Sequence, residues 1–155
     1  MPLEIERKFL LKNDDWREQA EQGTEYVQGY LIGSSQASVR IRIEGDAAFI
    51  NIKSATLGVR RQEYEYPIPV SDARELLTGL CEQPLIEKTR YLIHAQELCW
   101  EIDVFKGDNE GLVVAEVELE SEQQVVQRPG WLGEEVSDDP RYYNVSLVKH
   151  PYKRW

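Results

Sequence analysis

Charged side chains of like sign repeat at every second position in several short segments of the chain. Glutamates alternate with Val117 and Leu119 in residues 116–120, and two arginines flank Ile41 in residues 40–42. Because successive side chains of a β-strand point to opposite faces, these segments predict strands with one charged and one apolar face. The same alternation is found in residues 3–11, 47–54, 59–68 and 97–105. The chain is therefore expected to build a sheet whose two faces differ in charge.

Eight short strands joined by turns, with a few helices, make up the predicted secondary structure. The strands are residues 3–11, 24–32, 37–44, 47–54, 59–68, 85–96, 97–105 and 112–120. Ser71 is placed to cap a helix over residues 71–80, which carries apolar side chains at helical spacing. Further helices are predicted near residues 14–20 and over residues 139–149. This α+β pattern is typical of an antiparallel barrel or sandwich with added helices.

Length and composition exclude several classes of protein. The 155 residues are expected to form one domain, residues 1–155. A net charge of −10 disfavours a broad nucleic-acid surface, and no apolar run approaches the roughly 20 residues of a membrane span. The charged N-terminus lacks the apolar segment of a secretory signal. Cys81 and Cys99 match no metal or redox spacing, so we interpret them as reduced thiols of a cytoplasmic protein, with one disulfide as the alternative. We therefore expect neither nucleic acid nor a membrane as a partner.

The sorted charges allow two interpretations. In the first, ordinary half-buried strands turn their charges to water. Like charges two positions apart, however, lie about 6–7 Å from each other and repel, and a solvated surface gains nothing from such sorting. In the second, the charged faces line a barrel, where carboxylates bind Mg²⁺ or Mn²⁺ and Arg and Lys bind phosphate oxygens. A metal-bound polyphosphate then neutralises both sets, and the helix over residues 71–80 covers part of the outer apolar face.

The segment Glu4-Ile5-Glu6-Arg7-Lys8 resembles the N-terminal E-x-E-x-K motif of the CYTH family, the triphosphate tunnel metalloenzymes. Residues 40–42, 52–53, 63–65, 88–91, 100–105 and 115–118 follow in the family order, and residues 28–30, 131–133 and 141–144 resemble its short bacterial branch. The resemblance extends from Glu4 to about residue 144. It implies an eight-stranded antiparallel β-barrel, a tunnel with a polar, charged interior and a few peripheral helices.

The resemblance also implies roles for individual side chains inside the tunnel. Metal binding is implied for Glu4, Glu6, Glu116 and Glu118, and for Glu65 and Asp103 either directly or through water. Binding of the phosphate oxygens is implied for Lys8, Arg40, Arg42, Lys53, Lys88 and Arg90. The implied catalytic set is Glu4, Glu6, Lys8, Tyr30 and Glu118, with Tyr30 near the end of the phosphate chain. Glu63 is expected to position a basic neighbour rather than to bind metal.

The activity implied by the resemblance is hydrolysis of inorganic triphosphate to pyrophosphate and phosphate, with Mg²⁺ or Mn²⁺ as cofactor. A nucleoside or thiamine triphosphatase and a class IV-like adenylate cyclase are the alternatives among enzymes. A non-catalytic polyphosphate sensor is the alternative from another class. The paired carboxylates argue against it, because a protein that only binds anions gains little affinity from carboxylates beside phosphate unless a metal is bound. The partner is therefore a small triphosphate compound, and related enzymes favour a homodimer. Lys149 and Lys153 are interpreted as solvated, with a contribution to the tunnel mouth as the alternative.

Overall fold

The computed structural model describes residues 3–55 and 58–155, which contain nine strands and two α-helices. The strands are β1 (Leu3–Leu11), β2 (Thr24–Gly33), β3 (Ala37–Glu44), β4 (Ala47–Ser54), β5 (Arg60–Ile68), β6 (Ile86–Ala95), β7 (Leu98–Phe105), β8 (Val113–Glu118) and β9 (Leu132–Glu135). The helices are α1 (Val70–Gly79) and α2 (Asn144–Lys149). All eight predicted strands are present, and no end differs from its predicted position by more than two residues. Within these described ranges, no helix combines the length and apolarity needed to cross a membrane.

Eight of the strands close into an antiparallel barrel. Pairing runs from β1 through β5, β4, β3, β2, β6, β7 and β8 and returns to β1. The predicted barrel is therefore confirmed, and the sandwich alternative is wrong. The closing contact between β1 and β5 is short: it consists of three residue pairs, of which Glu4–Arg61 is the central one. By contrast, β3 and β4 pair along eight positions.

The ninth strand, β9, lies outside the ring and was not predicted. It pairs with the end of β1, next to Phe9 and Leu11. Its sequence, Leu-Gly-Glu-Glu, has neither alternation nor strand propensity, so tertiary contacts decide its conformation. The strand brings Glu135 to Arg7, whose Nη2 lies 2.6 Å from Glu135 Oε1. This outer ion pair explains why Arg7 interrupts the apolar face of β1.

Most of the hydrophobic core lies against the outside of the barrel rather than in its centre. On one side, Phe9 of β1 and Trp100 of β7 are fully buried, with ring centroids 5.7 Å apart. Trp16, from the turn after β1, and Trp131, from the segment before β9, pack over them. These tryptophans therefore act as packing residues, because the wet interior leaves the outer faces as the place to bury apolar surface.

Helix α1 covers another part of the outer face, as predicted. Its buried residues Ala73 and Leu77 pack against Ile41 of β3 and Ala48 of β4. The predicted cap is wrong, because the helix begins at Val70 and no side chain caps it, so Ser71 lies inside the first turn. Cys81 belongs to the same cluster, and both cysteines are free thiols. The disulfide alternative is thus not realised.

The C-terminal helix is shorter than predicted and closes one end of the barrel. Residues 140–142 form a 3₁₀ turn, Tyr143 is extended, and the α-helix begins only at Asn144. Leu147 and Val148 pack on Ile86, Phe105, Leu112 and Val114. Ile86, Phe105 and Val114 lie on the same strand faces as Lys88, Asp103 and Glu116, so they point into the barrel. The interior is therefore apolar at the end that α2 fills and charged elsewhere.

We expect Leu147→Ala to lower the free energy of unfolding by about 2–5 kcal/mol, because Leu147 is fully buried where α2 meets the barrel. Chemical denaturation followed by circular dichroism measures the change. Leu80→Ala is the matched control: Leu80 follows α1 and is 68% exposed, so its loss should change stability little. Equal destabilisation by the two substitutions would contradict the closing role of α2.

Candidate active site

The barrel encloses a cavity of about 290 Å³. Its acidic lining residues are Glu4, Glu6, Glu44, Glu63, Glu65, Glu101, Glu116 and Glu118, and its basic ones are Arg40, Arg42, Lys53, Arg61, Lys88 and Arg90. These side chains share the inner faces of seven of the eight barrel strands, because charged residues occupy alternate positions along them. An interior so charged has to be wet or hold ions, because unpaired charges are costly away from water.

Three carboxylates form the tightest acidic group in the described part of the chain. One oxygen from each of Glu6, Glu101 and Glu116 lies within 4.8 Å of the others. Burial, then repulsion by Glu116 and Glu4, raises the pKa of Glu6 well above its ordinary value. Burial acts in the same direction on Glu116, but its cationic neighbours, Lys8 first, outweigh it and hold that pKa well below its usual range. This acidic trio offers only hard oxygen ligands, and a divalent cation would relieve the repulsion within it.

A buried ion-pair network stands beside the acidic trio. Arg90 donates two hydrogen bonds to Asp103, from Nε to Oδ1 at 2.7 Å and from Nη2 to Oδ2 at 2.9 Å. Lys88 Nζ lies 2.8 Å from Asp103 Oδ2. Burial lowers the pKa of Lys88 to about 8, against the attraction of Asp103. Asp103 is fully buried behind the two cations, which it therefore holds in place on the cavity wall.

On the opposite wall, most cations are also paired. Lys53 Nζ lies 3.0 Å from Glu63 and 3.4 Å from Glu4, so Glu63 does position a basic neighbour. Arg61 Nε donates to Glu4 Oε1 at 3.2 Å. Arg42 is ion-paired with Glu65 and Glu44. A phosphate chain entering the cavity has to displace or share these carboxylate contacts.

Arg40 differs from the other cations of the cavity. The residue is 9% exposed, and no carboxylate in residues 3–55 and 58–155 lies close enough for an ion pair, although its charge acts on Glu63 and Glu65 at longer range. Its Nε is buried and has no hydrogen-bond partner among these residues. Because nearby carboxylates act on this guanidinium only at longer range, an anion that enters the cavity is the group that can bind it directly. Arg40 therefore marks where a phosphate would be held most strongly.

A sequence model of the CYTH domain matches residues 2–152, nearly the whole chain. The chain belongs to the CYTH family. An inorganic triphosphatase of Acetivibrio thermocellus is 46% identical over 155 residues, which cover 100% of this chain and 99% of that protein. An inorganic triphosphatase of Nitrosomonas europaea is 38% identical over 149 residues, covering 94% and 96% of the two chains. The resemblance found in the motifs is thereby confirmed.

Solved structures agree with the CYTH assignment. The crystal structure of the inorganic triphosphatase NE1496 superposes with a TM-score of 0.67 at 36% identity, covering 94% of this chain and 93% of that one. The PH1012 protein of Pyrococcus horikoshii superposes with a TM-score of 0.62 over 77% of this chain and 80% of that one, at 18% identity. The second likeness shows the fold alone.

The CYTH barrel brings together most of the side chains that the sequence pointed to. Lining positions are found for Glu4, Glu6, Tyr30, Arg40, Arg42, Lys53, Glu65, Lys88, Arg90, Glu116 and Glu118. Lys8 and Asp103 are instead buried behind the lining: Lys8 Nζ lies 3.4 Å from Glu116 Oε1 and also donates to the carbonyl of Tyr142 at 3.1 Å. Lys149 is exposed and Lys153 pairs with Glu110, so neither lines the cavity.

Several lining residues were not assigned to the site from the sequence. They are Tyr26, Gln28, Ser38, Glu44, Arg61, Glu101, Tyr143, Asn144 and Val145. For Glu101 and Arg61 the signal was present, since both take part in the charge alternation. For Asn144 no charge pattern exists, because the side chain enters the site from α2 rather than from a strand.

Proposed function

We propose that this CYTH protein hydrolyses inorganic triphosphate to pyrophosphate and phosphate. The observation that carries the proposal is the meeting of the acidic trio and an unpaired cation, Arg40, in one closed barrel. A linear polyphosphate with a divalent cation is the ligand class that neutralises both. The two relatives named as inorganic triphosphatases, at 46% and 38% identity, support this substrate over others.

We propose Mg²⁺ or Mn²⁺ as the cofactor. Glu6, Glu101 and Glu116 would hold the ion, with Glu4 and Glu118 at neighbouring positions of the cavity wall. All of these ligands are carboxylate oxygens, which fits hard divalent cations and disfavours metals that select sulfur or imidazole. When bound, the ion withdraws charge from the phosphate oxygens and lowers the pKa of water near it.

The side chains of the protein would then perform four tasks. Arg40, Arg42, Lys53, Lys88 and Arg90 bind the phosphate oxygens and stabilise the charge that develops on the leaving pyrophosphate. Glu118 makes no ion pair among the described residues, and burial followed by repulsion from Glu4 raises its pKa. Its carboxylate is thus suited to accept the proton of the attacking water while the P–O bond to pyrophosphate breaks. Lys8 holds the Glu116 carboxylate in place, and the hydroxyl of Tyr30 donates to the end of the phosphate chain.

The alternative functions have less support. A nucleoside or thiamine group needs an apolar or stacking surface, whereas charged side chains dominate the described lining of the cavity. A polyphosphate sensor does not require the acidic trio.

The homodimer remains a prediction. We propose a cytoplasmic location because both thiols are free, which fits a reducing compartment.

Phosphate release from triphosphate, ATP and thiamine triphosphate, each with Mg²⁺ or Mn²⁺, tests the proposal. We expect kcat/KM for triphosphate to exceed that for either organic substrate by about tenfold or more, because neither a base nor a thiazole finds a surface to bind. Cyclic AMP should not form from ATP. Absence of phosphate release from triphosphate with both metals would refute the proposed activity.

Removal of divalent cations should abolish turnover, and added Mg²⁺ or Mn²⁺ should restore it. The physical reason is that without a cation nothing withdraws charge from the phosphate oxygens or lowers the pKa of the attacking water, although the basic side chains can still bind the substrate. Circular dichroism and a denaturation curve in the chelator provide the control, because the barrel should stay folded. Full activity after exhaustive chelation would contradict the metal requirement.

A further inference from the structure

The segment Tyr142–Val145 lies across the end of the barrel that α2 fills. Lys8 Nζ donates to the carbonyl of Tyr142, and the Lys8 ammonium lies 5.4 Å from the centre of the Tyr143 ring. The hydroxyl of Tyr143 donates to the carbonyl of Ser137 at 2.7 Å. Asn144 and Val145 line the cavity. Beyond them, Leu147 and Val148 fill the barrel end with apolar side chains. A phosphate chain therefore meets a wall at this end.

The orientation of the Asn144 amide at this wall is set by its partners. Lys88 Nζ donates to Asn144 Oδ1 at 3.1 Å, and Gln28 Nε2 donates to the same oxygen at 2.9 Å. An ammonium group has no lone pair, so the atom that faces Lys88 has to be the oxygen. The NH₂ group of Asn144 consequently points away from Lys88 and Gln28.

Two polar groups at this wall have no hydrogen-bond partner in the part of the chain that the structure describes. No hydrogen bond in residues 3–55 and 58–155 uses the amide nitrogen of Asn144, although the residue lines the cavity. The Oε1 atom of Gln28, which is fully buried, is likewise without a hydrogen-bond partner in these residues. A buried acceptor such as Gln28 Oε1 is rarely left unpaired, and the NH₂ group of Asn144 is available to donate into the cavity, so a ligand is expected to complete both. An unesterified terminal phosphate offers both acceptor oxygens and, when protonated, a donor.

We propose that Asn144, together with Lys88 and Gln28, binds the free terminal phosphate of the substrate at the closed end of the barrel. The amide oxygen of Asn144 holds the Lys88 ammonium, and its NH₂ group donates to a phosphate oxygen. Only a chain with at least one unesterified terminal phosphate can reach this wall. The inference rests on the proposed triphosphatase function and adds the specificity-determining end of the site.

Asn144→Asp separates binding of phosphate from a purely structural role. The new carboxylate still accepts from Lys88 and Gln28, so a residue that merely holds those side chains is replaced without loss. If Asn144 donates to phosphate, the substitution removes the donor and adds a like charge, and KM for triphosphate should rise about 30-fold or more with a smaller change in kcat. Asn144→Ala should raise KM less. An unchanged KM in Asn144→Asp would overturn the proposal.

Two further measurements make the result independent of turnover. Calorimetric binding of inorganic triphosphate in excess chelator should weaken in Asn144→Asp by about the same factor as KM rises. Diadenosine triphosphate, which has no free terminal phosphate, should neither bind nor inhibit, and tight binding of it would also overturn the proposal. Asn109→Asp is the matched control, because Asn109 Oδ1 accepts from the backbone of Tyr152 outside the cavity. If the wild type binds triphosphate without hydrolysing it, the proposed activity fails while this inference stands.

Discussion

Glu116→Gln is expected to reduce kcat with triphosphate by about a thousandfold, because this carboxylate belongs to both charged systems of the cavity. It is a member of the acidic trio, and its oxygens lie 3.4 Å from Lys8 Nζ and 3.9 Å from Arg90 Nη2. The cations around it keep the pKa of Glu116 well below its usual range, so the residue is ionised at neutral pH. An amide at this position removes a negative ligand for the divalent cation and leaves Lys8 less well compensated. Steady-state phosphate release at saturating Mg²⁺ measures the effect.

The control for this substitution is Glu120→Gln. It makes the same chemical change four residues further along the chain, at an exposed residue outside the cavity. Its kcat should stay within about twofold of the wild type. A circular dichroism spectrum of Glu116→Gln that matches the wild type shows that the fold is retained. If folded Glu116→Gln keeps normal turnover, Glu116 has no part in metal binding or catalysis.

Arg40→Ala is expected to lower kcat/KM for triphosphate by about a hundredfold or more, since a bidentate contact between charged groups is lost. Unlike Arg90, which is held by Asp103 and Glu101, Arg40 has no carboxylate partner in residues 3–55 and 58–155. Its charge is therefore available to the substrate without a competing ion pair. Stability should change little, because the substitution breaks no ion pair among the described residues and removes only a longer-range attraction to Glu63 and Glu65. The combination of lower activity and undiminished stability distinguishes a binding role from a structural one.

Arg40→Lys and Arg74→Ala complete this experiment. Lysine restores the charge but not the two-pronged geometry, so we expect only partial recovery of kcat/KM. Arg74 lies exposed on α1, away from the cavity, and its loss should leave kcat/KM unaltered. A marked loss of stability in Arg40→Ala, or a normal kcat/KM, would contradict the assignment.

Most strands of this protein are visible in the sequence because charged and apolar side chains alternate along them. Glu4, Ile5 and Glu6 are an example: Glu4 and Glu6 line the cavity, whereas Ile5 packs in the core outside the barrel. What alternation cannot settle is which face is enclosed. Half-buried sheets and charged barrels produce the same pattern, so the choice depended on the sorting of charges by sign and on the family resemblance. The short strand β9 is not predicted from the sequence, because it lacks this alternation.

The composition of the site depends on strand register, which sequence patterns do not reveal. Glu101 joins the acidic trio because it stands opposite Glu116 in the pairing of β7 with β8. Asp103, two residues further along β7, is instead buried under Arg90 and Lys88. A shift of the pairing would exchange these roles. Asn144 depends on long-range packing of α2, about which local sequence carries little information.

The short pairing of β1 with β5 makes catalytic activity depend on one weakly held edge of the barrel. Three residue pairs fasten it, and the middle pair joins Glu4 to Arg61, two groups that also face the substrate cavity. Fraying of residues 3–5 alone would remove the Glu4 carboxylate from the cavity and leave the Arg61 guanidinium without this partner, while the other strand pairings stayed intact. Loss of function at this edge can thus precede loss of the fold.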